Sequence, residues 1–371
     1  MNERYRIENS NEIISPSLIV FLEYVEQNID EMIRMAGDVR RLRPHCKTHK
    51  LEEITRMELK KGIEKYKCAT FAEAEMLARA GVKDIFLAYN LVGPNISRAV
   101  RFLKQFPDVS FLANADHPLP VKALGKAMTE AGTEMELLLD LDVGQHRTGV
   151  EMNENAVELY KTITETPGVE PGGFHVYDGH QKQVSLDERI AAIKPVFERV
   201  LIFGDEIVSH NWPVPRIVCG GTGSFPVYAR ETDPSIELSP GTVVFHDAGY
   251  SQNFPDLKFT PAAVILTRVV SRPTPNRITL DAGSKAVASD PPMKTRLVFP
   301  DLPDAKIVLH NEEHLVVETA QAENYTPGDN LIGIPWHICP TTALHKQVFV
   351  VKGDCVIDQW VVIARDRMLT I

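Results

Sequence analysis

The chain has 371 residues, with 50 Asp and Glu against 40 Lys and Arg and a net charge of −10. That acidity argues against nucleic acid or an anionic membrane surface as partner, and no stretch approaches the ~20 apolar residues of a membrane span. Five scattered cysteines without framework spacing, and a polar start at Met1-Asn2-Glu3-Arg4-Tyr5, lead us to expect a cytoplasmic protein.

From about residue 20 to about residue 250, short aliphatic runs alternate with longer amphipathic segments. The runs are Leu42–Cys46, Lys65–Ala69, Ile85–Ala88, Val109–Ala113, Glu136–Leu141, Gly173–Tyr177, Arg216–Cys219 and Thr242–Phe245. Leu22, Val25, Ile29, Met32 and Ile33, ahead of the first run, recur at helical spacing, as do Ala72, Met76, Leu77 and Ala80 before the stop at Gly81. Eight strand-like runs with helical crossovers predict a parallel (β/α)8 TIM-type barrel. A doubly wound sheet is the alternative, but it would carry a glycine-rich loop after its first strand.

Beyond about residue 258 the texture changes to strand runs separated by Pro, Gly and Asp turns. The runs begin at Ala262 and end near Ile363. The expected organisation is a barrel over 16–256 and a mainly β domain built from 257–371. Residues 1–15 are expected to add a strand to that domain.

Polar residues cluster where the strand runs end, the face on which barrels carry active sites. Lys47 lies in Arg43-Pro44-His45-Cys46-Lys47-Thr48-His49-Lys50, among cationic groups at 43, 45, 49 and 50. Such neighbours disfavour a charged lysine and sharpen its nucleophilicity, as Schiff-base chemistry needs. An isolated basic octamer would otherwise read as a surface patch. Gly220-Gly221-Thr222-Gly223-Ser224 after the seventh run suits a phosphate, although a flexible loop would show the same composition. Arg147, between Gly144 and Gly149, suits an oxyanion, or a surface ion pair. Tyr177 suits a cofactor ring, or the core. In an extended Pro335-Trp336-His337-Ile338-Cys339, residues two apart share a side. His337 and Cys339 are then a candidate metal pair, and imidazole plus thiolate favours zinc.

The motifs RPHCKTHK, DVGQHRTGV, YDGH, GGTGS, LSPGTVVFHDAGY, LDAGSKA and PWHICPTTALH, with EEH at 312–314, together resemble the D-threonine aldolase and D-serine dehydratase family. That family shares the alanine racemase barrel, and the likeness covers nearly the whole chain. It implies a pyridoxal 5′-phosphate enzyme, usually a homodimer, with a divalent metal (Zn, Mn or Mg). By the resemblance, Lys47 would carry the cofactor, Arg147 would face its phenolic oxygen and Tyr177 its ring nitrogen. Gly221, Thr222 and Gly223 would cradle the phosphate with Tyr250, and His337 and Cys339 would hold the metal. Two departures stand out. The His-x-Cys ligand pattern is that of the dehydratases, and the aldolases' catalytic histidine position is Gln183 here, with His180 as the nearby substitute. The expected reaction is retro-aldol cleavage of a D-3-hydroxy amino acid to glycine and an aldehyde. The alternative is β-elimination to a 2-keto acid and ammonia.

Overall fold

The structure is a computed structural model that describes residues 3–371. The chain forms two compact units. One gathers the chain up to Met32, Thr48–Leu51 and Thr242–Arg365; the other holds Ile33–Lys47, Glu52–Gly241 and Asp366–Ile371. These divisions differ from a boundary near residue 256, and pairing explains why. Ser17–Phe21 (β1) pairs with strands of the β unit, and Asn28 on the following helix bonds Val244 O at 3.1 Å and Thr260 O at 2.7 Å. Among the described residues of the first fifteen there is no strand: Glu3–Tyr5 and Ser10–Glu12 are 3-10 turns.

In the second unit seven parallel strands follow one another in sequence order. They are β2 (Lys65–Cys68), β3 (Asp84–Asn90), β4 (Ser110–Ala115), β5 (Met135–Leu141), β6 (Val169–Val176), β7 (Ile217–Cys219) and β8 (Ile236–Leu238). Residues 42–45 fill the eighth place. Leu42 bridges Leu238 and His45 bridges Lys67, both parallel. Arg43 N donates to Leu238 O and His45 N to Pro240 O, each at 2.8 Å. Pro44 has no N–H to give, so this segment joins its neighbours without becoming a regular strand. The expected eighth strand at Thr242–Phe245 is instead a 3-10 turn over Thr242–Val244 in the β unit. Ile236–Leu238 takes its place; the central Glu237 hides that run from a hydrophobicity reading.

Local chemistry sets the crossovers. Thr70 caps the helix Phe71–Ala80 by accepting from Glu73 N, and Gly81 at φ +105° ends it. Inside the barrel, Phe86, Leu112, Leu138 and Val218 form a fully buried layer. Two residues further along β4 and β5, on the same face by strand alternation, stand Asn114 and Asp140. An apolar floor therefore gives way to a polar layer at the strand ends.

The β unit is built on a long strand, β9 (Ala263–Thr274). It pairs with β1, with β10 (Arg277–Leu280), and with β14 (Asn330–Pro335), which in turn pairs with the short β11 (Leu297–Val298). The sheet continues through β12 (Lys306–His310) and β13 (Leu315–Glu318) on one side, and β15 (Gln347–Lys352) and β16 (Cys355–Val361) on the other. Tyr5, Ile19, Phe21, Val264, Leu266, Ile332 and Val351 pack its core. Among the described residues no helix is long and apolar enough to cross a membrane.

Candidate active site

Lys47 sits half-buried in a 3-10 turn, Cys46–Thr48, directly after the eighth barrel segment. Its N–H donates to His45 Nδ1 at 3.2 Å. The charges around it differ from those the octamer suggests. Arg43 is fully buried, bonded to Glu237 at 2.5 Å and to Asp84 at 2.6 and 3.1 Å. Burial alone would lower its pKa, but the two carboxylates outweigh burial and hold it above the ordinary value. Its charge is therefore compensated. His49 is neutral, because burial pulls its pKa down to about 3.

The cation coupled to Lys47 is Lys67, at the end of β2. Burial first, and the charge of Lys47 second, pull Lys67 down to about 7. Its Nζ lies 2.8 Å from His175 Nε2, and His175 Nδ1 lies 2.6 Å from Asp140 Oδ1. Asn114 Nδ2 is 3.2 Å from the same Nδ1. Asp140 and His175 stand opposite each other in the register of β5 and β6. Burial, and then Lys67, draw His175 down to about 4. A neutral imidazole thus donates from Nδ1 to Asp140 and accepts at Nε2 from Lys67. None of these four residues stands out in the sequence reading. The available signal was a charged or polar side chain inside aliphatic runs, as in KYKCA, LLLDL and GFHVY.

Tyr177, just past β6, is the common neighbour of two cations. Arg147 Cζ lies 4.9 Å and Lys67 Nζ 5.5 Å from its ring centroid. Arg147 is carried on an exposed loop that Asp142 folds by accepting from Gly144 N and His146 N, each at 3.0 Å. Gly149 closes the loop at φ +94°, where a Cβ would sit 2.8 Å from Asp142 N.

The glycine loop after β7 is pinned from below. Ser224 Oγ donates to Asp178 Oδ1 at 2.6 Å, and Tyr228 OH to Asp178 Oδ2 at 3.0 Å. Ser224 Oγ in turn accepts from Gly221 N at 3.1 Å. Asp178 is buried, and burial pushes its carboxyl up despite these donors. A Cβ on Gly221 would approach the Tyr177 ring to 3.1 Å, so loop and ring are in close contact. Thr222 is buried and accepts from Gly241 N at 3.2 Å, and Gly223 is half-buried. His180 is half-buried and its Nε2 accepts from Gln181 Nε2 at 3.0 Å, while its Nδ1 is buried without a partner. Gln183 donates to Gln181 Oε1 at 3.0 Å.

The remaining candidates belong to the β unit. Tyr250 lies on the helix Ala248–Asn253, capped by Asp247, with its ring stacked on Phe254. His337 is the residue before the helix Ile338–Leu344, so Cys339 lies in a helical first turn and not in the expected extended segment. The two side chains still meet. Burial opposes a charge on His337, but the Cys339 side chain and Asp290 lift its pKa to about 9. Asp290 Oδ2 is 2.6 Å from His337 Nδ1. Thr48 Oγ1 and Thr242 Oγ1 lie 3.1 and 3.6 Å from Cys339 Sγ.

Two fits follow from this chemistry. Lys67 and Arg147 flank the Tyr177 ring, Lys47 adds its charge to that of Lys67, and the carboxylate of Asp140 reaches Lys67 through His175. That surplus of cations suits an anionic aromatic group. In the β unit, His337 holds a carboxylate on Nδ1 and has the Cys339 side chain beside it; a metal taking the place of the ring's second proton would find the outer carboxylate that supports a histidine ligand. Asp290 escaped the sequence reading because it lies far from His337 in the chain. Another group, His45, Cys46 and Glu73, has ligand atoms within 4.8 Å of one another. Those atoms hold the local fold: Glu73 Oε2 accepts from Ala69 N at 2.6 Å and His45 Nδ1 from Lys47 N.

Comparison with known proteins agrees in both units. Residues 20–243 match the alanine racemase N-terminal domain and residues 262–351 a putative serine dehydratase domain. The D-threonine aldolase of an Arthrobacter species is 31% identical over 95% of this chain and 92% of its own length. The 3-hydroxy-D-aspartate aldolase of Paracoccus denitrificans is 29% identical over 97% of this chain and 94% of its own. The crystal structure of D-threonine aldolase from Filomicrobium marinum superposes with a TM-score of 0.88 at 26% identity, covering 96% of both chains. The chain belongs to the family of D-threonine aldolases and D-serine dehydratases built on the alanine racemase barrel.

Proposed function

We propose that this protein is a pyridoxal phosphate- and divalent metal-dependent lyase that cleaves the Cα–Cβ bond of D-3-hydroxy amino acids, releasing glycine and an aldehyde. The observation that carries this reading is the cation-rich cluster at the strand ends, Lys67 and Arg147 about the Tyr177 ring with the charge of Lys47 acting on Lys67. When bound, pyridoxal phosphate supplies an electron sink for the bond that breaks, and the metal acidifies a bound hydroxyl. Lys47 would hold the cofactor covalently, Arg147 its phenolic oxygen and Tyr177 its ring nitrogen. Gly221, Thr222, Gly223 and Tyr250 would hold the phosphate, and His337 and Cys339 the metal.

The chain's own proton chemistry then concerns two atoms. His180 Nε2, which accepts from Gln181 here, is the lone pair assigned to the β-hydroxyl proton. Lys47 Nζ stays off the α-proton in the cleavage. In the β-elimination reading, Lys47 Nζ takes that proton and a 2-keto acid and ammonia result. Cys339 as the second metal ligand and the match of residues 262–351 to a serine dehydratase domain favour that second reading. The aldolase relatives at 31% and 29% identity favour the first. We further assign the protein to the cytoplasm and to a homodimer, as the family resemblance implies.

A product assay with D-threonine tests the choice. Glycine with acetaldehyde supports the cleavage; 2-oxobutanoate with ammonia replaces it by the elimination. Neither pair of products, with or without added Zn, Mn or Mg, would overturn both.

A further inference from the structure

Lys67 belongs to the cation cluster but has been given no group to bind, and it is only 3% exposed. We propose that Lys67, oriented by His175 and Asp140, is a second amine of the same site, one that binds an oxyanion: an ionised oxygen of the cofactor or the carboxylate of the amino acid. This rests on the pyridoxal phosphate reading.

The geometry explains why the ammonium is kept and where its capacity lies. Among the described residues, no carboxylate forms an ion pair with Lys67. Asp140 Oδ1 is engaged 2.6 Å from His175 Nδ1, and the imidazole stands between it and the lysine. With Nδ1 donating to Asp140, Nε2 offers a lone pair and takes one of the three ammonium hydrogens. The imidazole thus aims the ammonium without neutralising it. Tyr177 lies 5.5 Å away and is shared with Arg147, so Lys67 adjoins the residues proposed to meet the cofactor ring. A buried lysine with a purely packing role would be less costly as a methionine of similar length. The depressed pKa agrees with an amine lacking its anion, because an arriving oxyanion favours the charged form.

The test uses wild type, Lys67→Met and Lys67→Gln. Each apoprotein is titrated with pyridoxal 5′-phosphate, followed by the visible band. Each loaded protein is then titrated with D-alanine, which has no β-hydroxyl to lose, followed by the spectral shift. Thermal midpoints of the apo variants should equal or exceed that of wild type, since a buried unpaired ammonium is removed. Affinity should fall about 10- to 100-fold in one arm, the loss expected for a charge-assisted hydrogen bond. A loss in the first arm assigns the oxyanion to the cofactor; a loss confined to the second assigns it to the carboxylate. Should the Met variant not fold, the Gln variant is read by the same criteria. Affinities within twofold of wild type in both arms overturn the assignment of Lys67. A wild type that takes up no pyridoxal phosphate overturns the functional reading instead.

Discussion

Arg43→Met should cost the protein about 3 kcal/mol of stability at pH 7, the lower end of what breaking a buried ion pair costs. The lower end follows from what remains after the change. Glu237 is left with Lys65 Nζ at 2.6 Å, and Asp84, 28% exposed at its side chain, regains water. Only part of the stranded charge stays uncompensated. Removing the stranded carboxylate as well, in Arg43→Met/Glu237→Gln, should restore about half of the loss. The pH dependence has a defined sign. Burial raises the Glu237 pKa, but Arg43 and Lys65 outweigh it and set the carboxyl below its ordinary 4.5. That stabilisation is complete above pH 4.5 and disappears as pH falls through the folded-state value. Urea denaturation of the three proteins, followed by circular dichroism at pH 7 and in steps down to the acid limit of folding, measures both effects. A loss under about 1 kcal/mol at pH 7, or a gap that does not narrow in acid, would refute this account of how the barrel closes.

Other predictions concern the site. Lys47→Ala should abolish the visible absorbance of the cofactor-loaded protein, and wild-type colour that survives borohydride would remove Lys47 from its role. His337→Ala should abolish metal-stimulated turnover while leaving the cofactor band in place; wild-type activity indifferent to chelators would sink the metal pair. Asp290→Asn should weaken metal binding about 10- to 100-fold by calorimetry, the effect of losing an outer-shell partner; unchanged affinity would contradict it. Burial holds His49 at about 3 and His175 and His246 at about 4. Each group's contribution is complete above pH 6.5 and lost as pH falls toward those values, at up to about 1.4 kcal/mol per pH unit per imidazole. His49→Gln should make the fall in stability between pH 6.5 and 4 shallower, and an unaltered slope would show that His49 does not carry it.

The legible parts of this molecule were those written in periodicity and in contiguous motifs. Alternating runs gave the barrel order, and the Pro-, Gly- and Asp-bounded runs gave most strands of the β unit. The glycine loop and the DVGQHRTG loop announced themselves because backbone turns demand particular residues at adjacent positions. The site's second half was invisible for the opposite reason. Lys67, Asn114, Asp140 and His175 come from four strands and meet only through barrel closure, so no window of sequence contains them. Asp290 meets His337 across 47 positions. The octamer misled because a string of letters does not show that Arg43 is neutralised by Asp84 and Glu237. The PWHIC segment misled because a helix begins at Ile338, and two-residue spacing means something else there.

The eighth barrel place, filled by residues 42–45, has a consequence for biogenesis. Its partners on one side lie at Leu238 and Pro240, almost two hundred positions downstream. Contacts of such separation form late, after the loop between them has been ordered. Lys47 follows that segment directly, so its turn settles only once the far end of the barrel has been made and has returned to the beginning. On a translating ribosome, a nascent chain truncated before residue 236 lacks the seam's second wall. Covalent uptake of cofactor at this lysine would therefore mark a finished barrel, not a growing one.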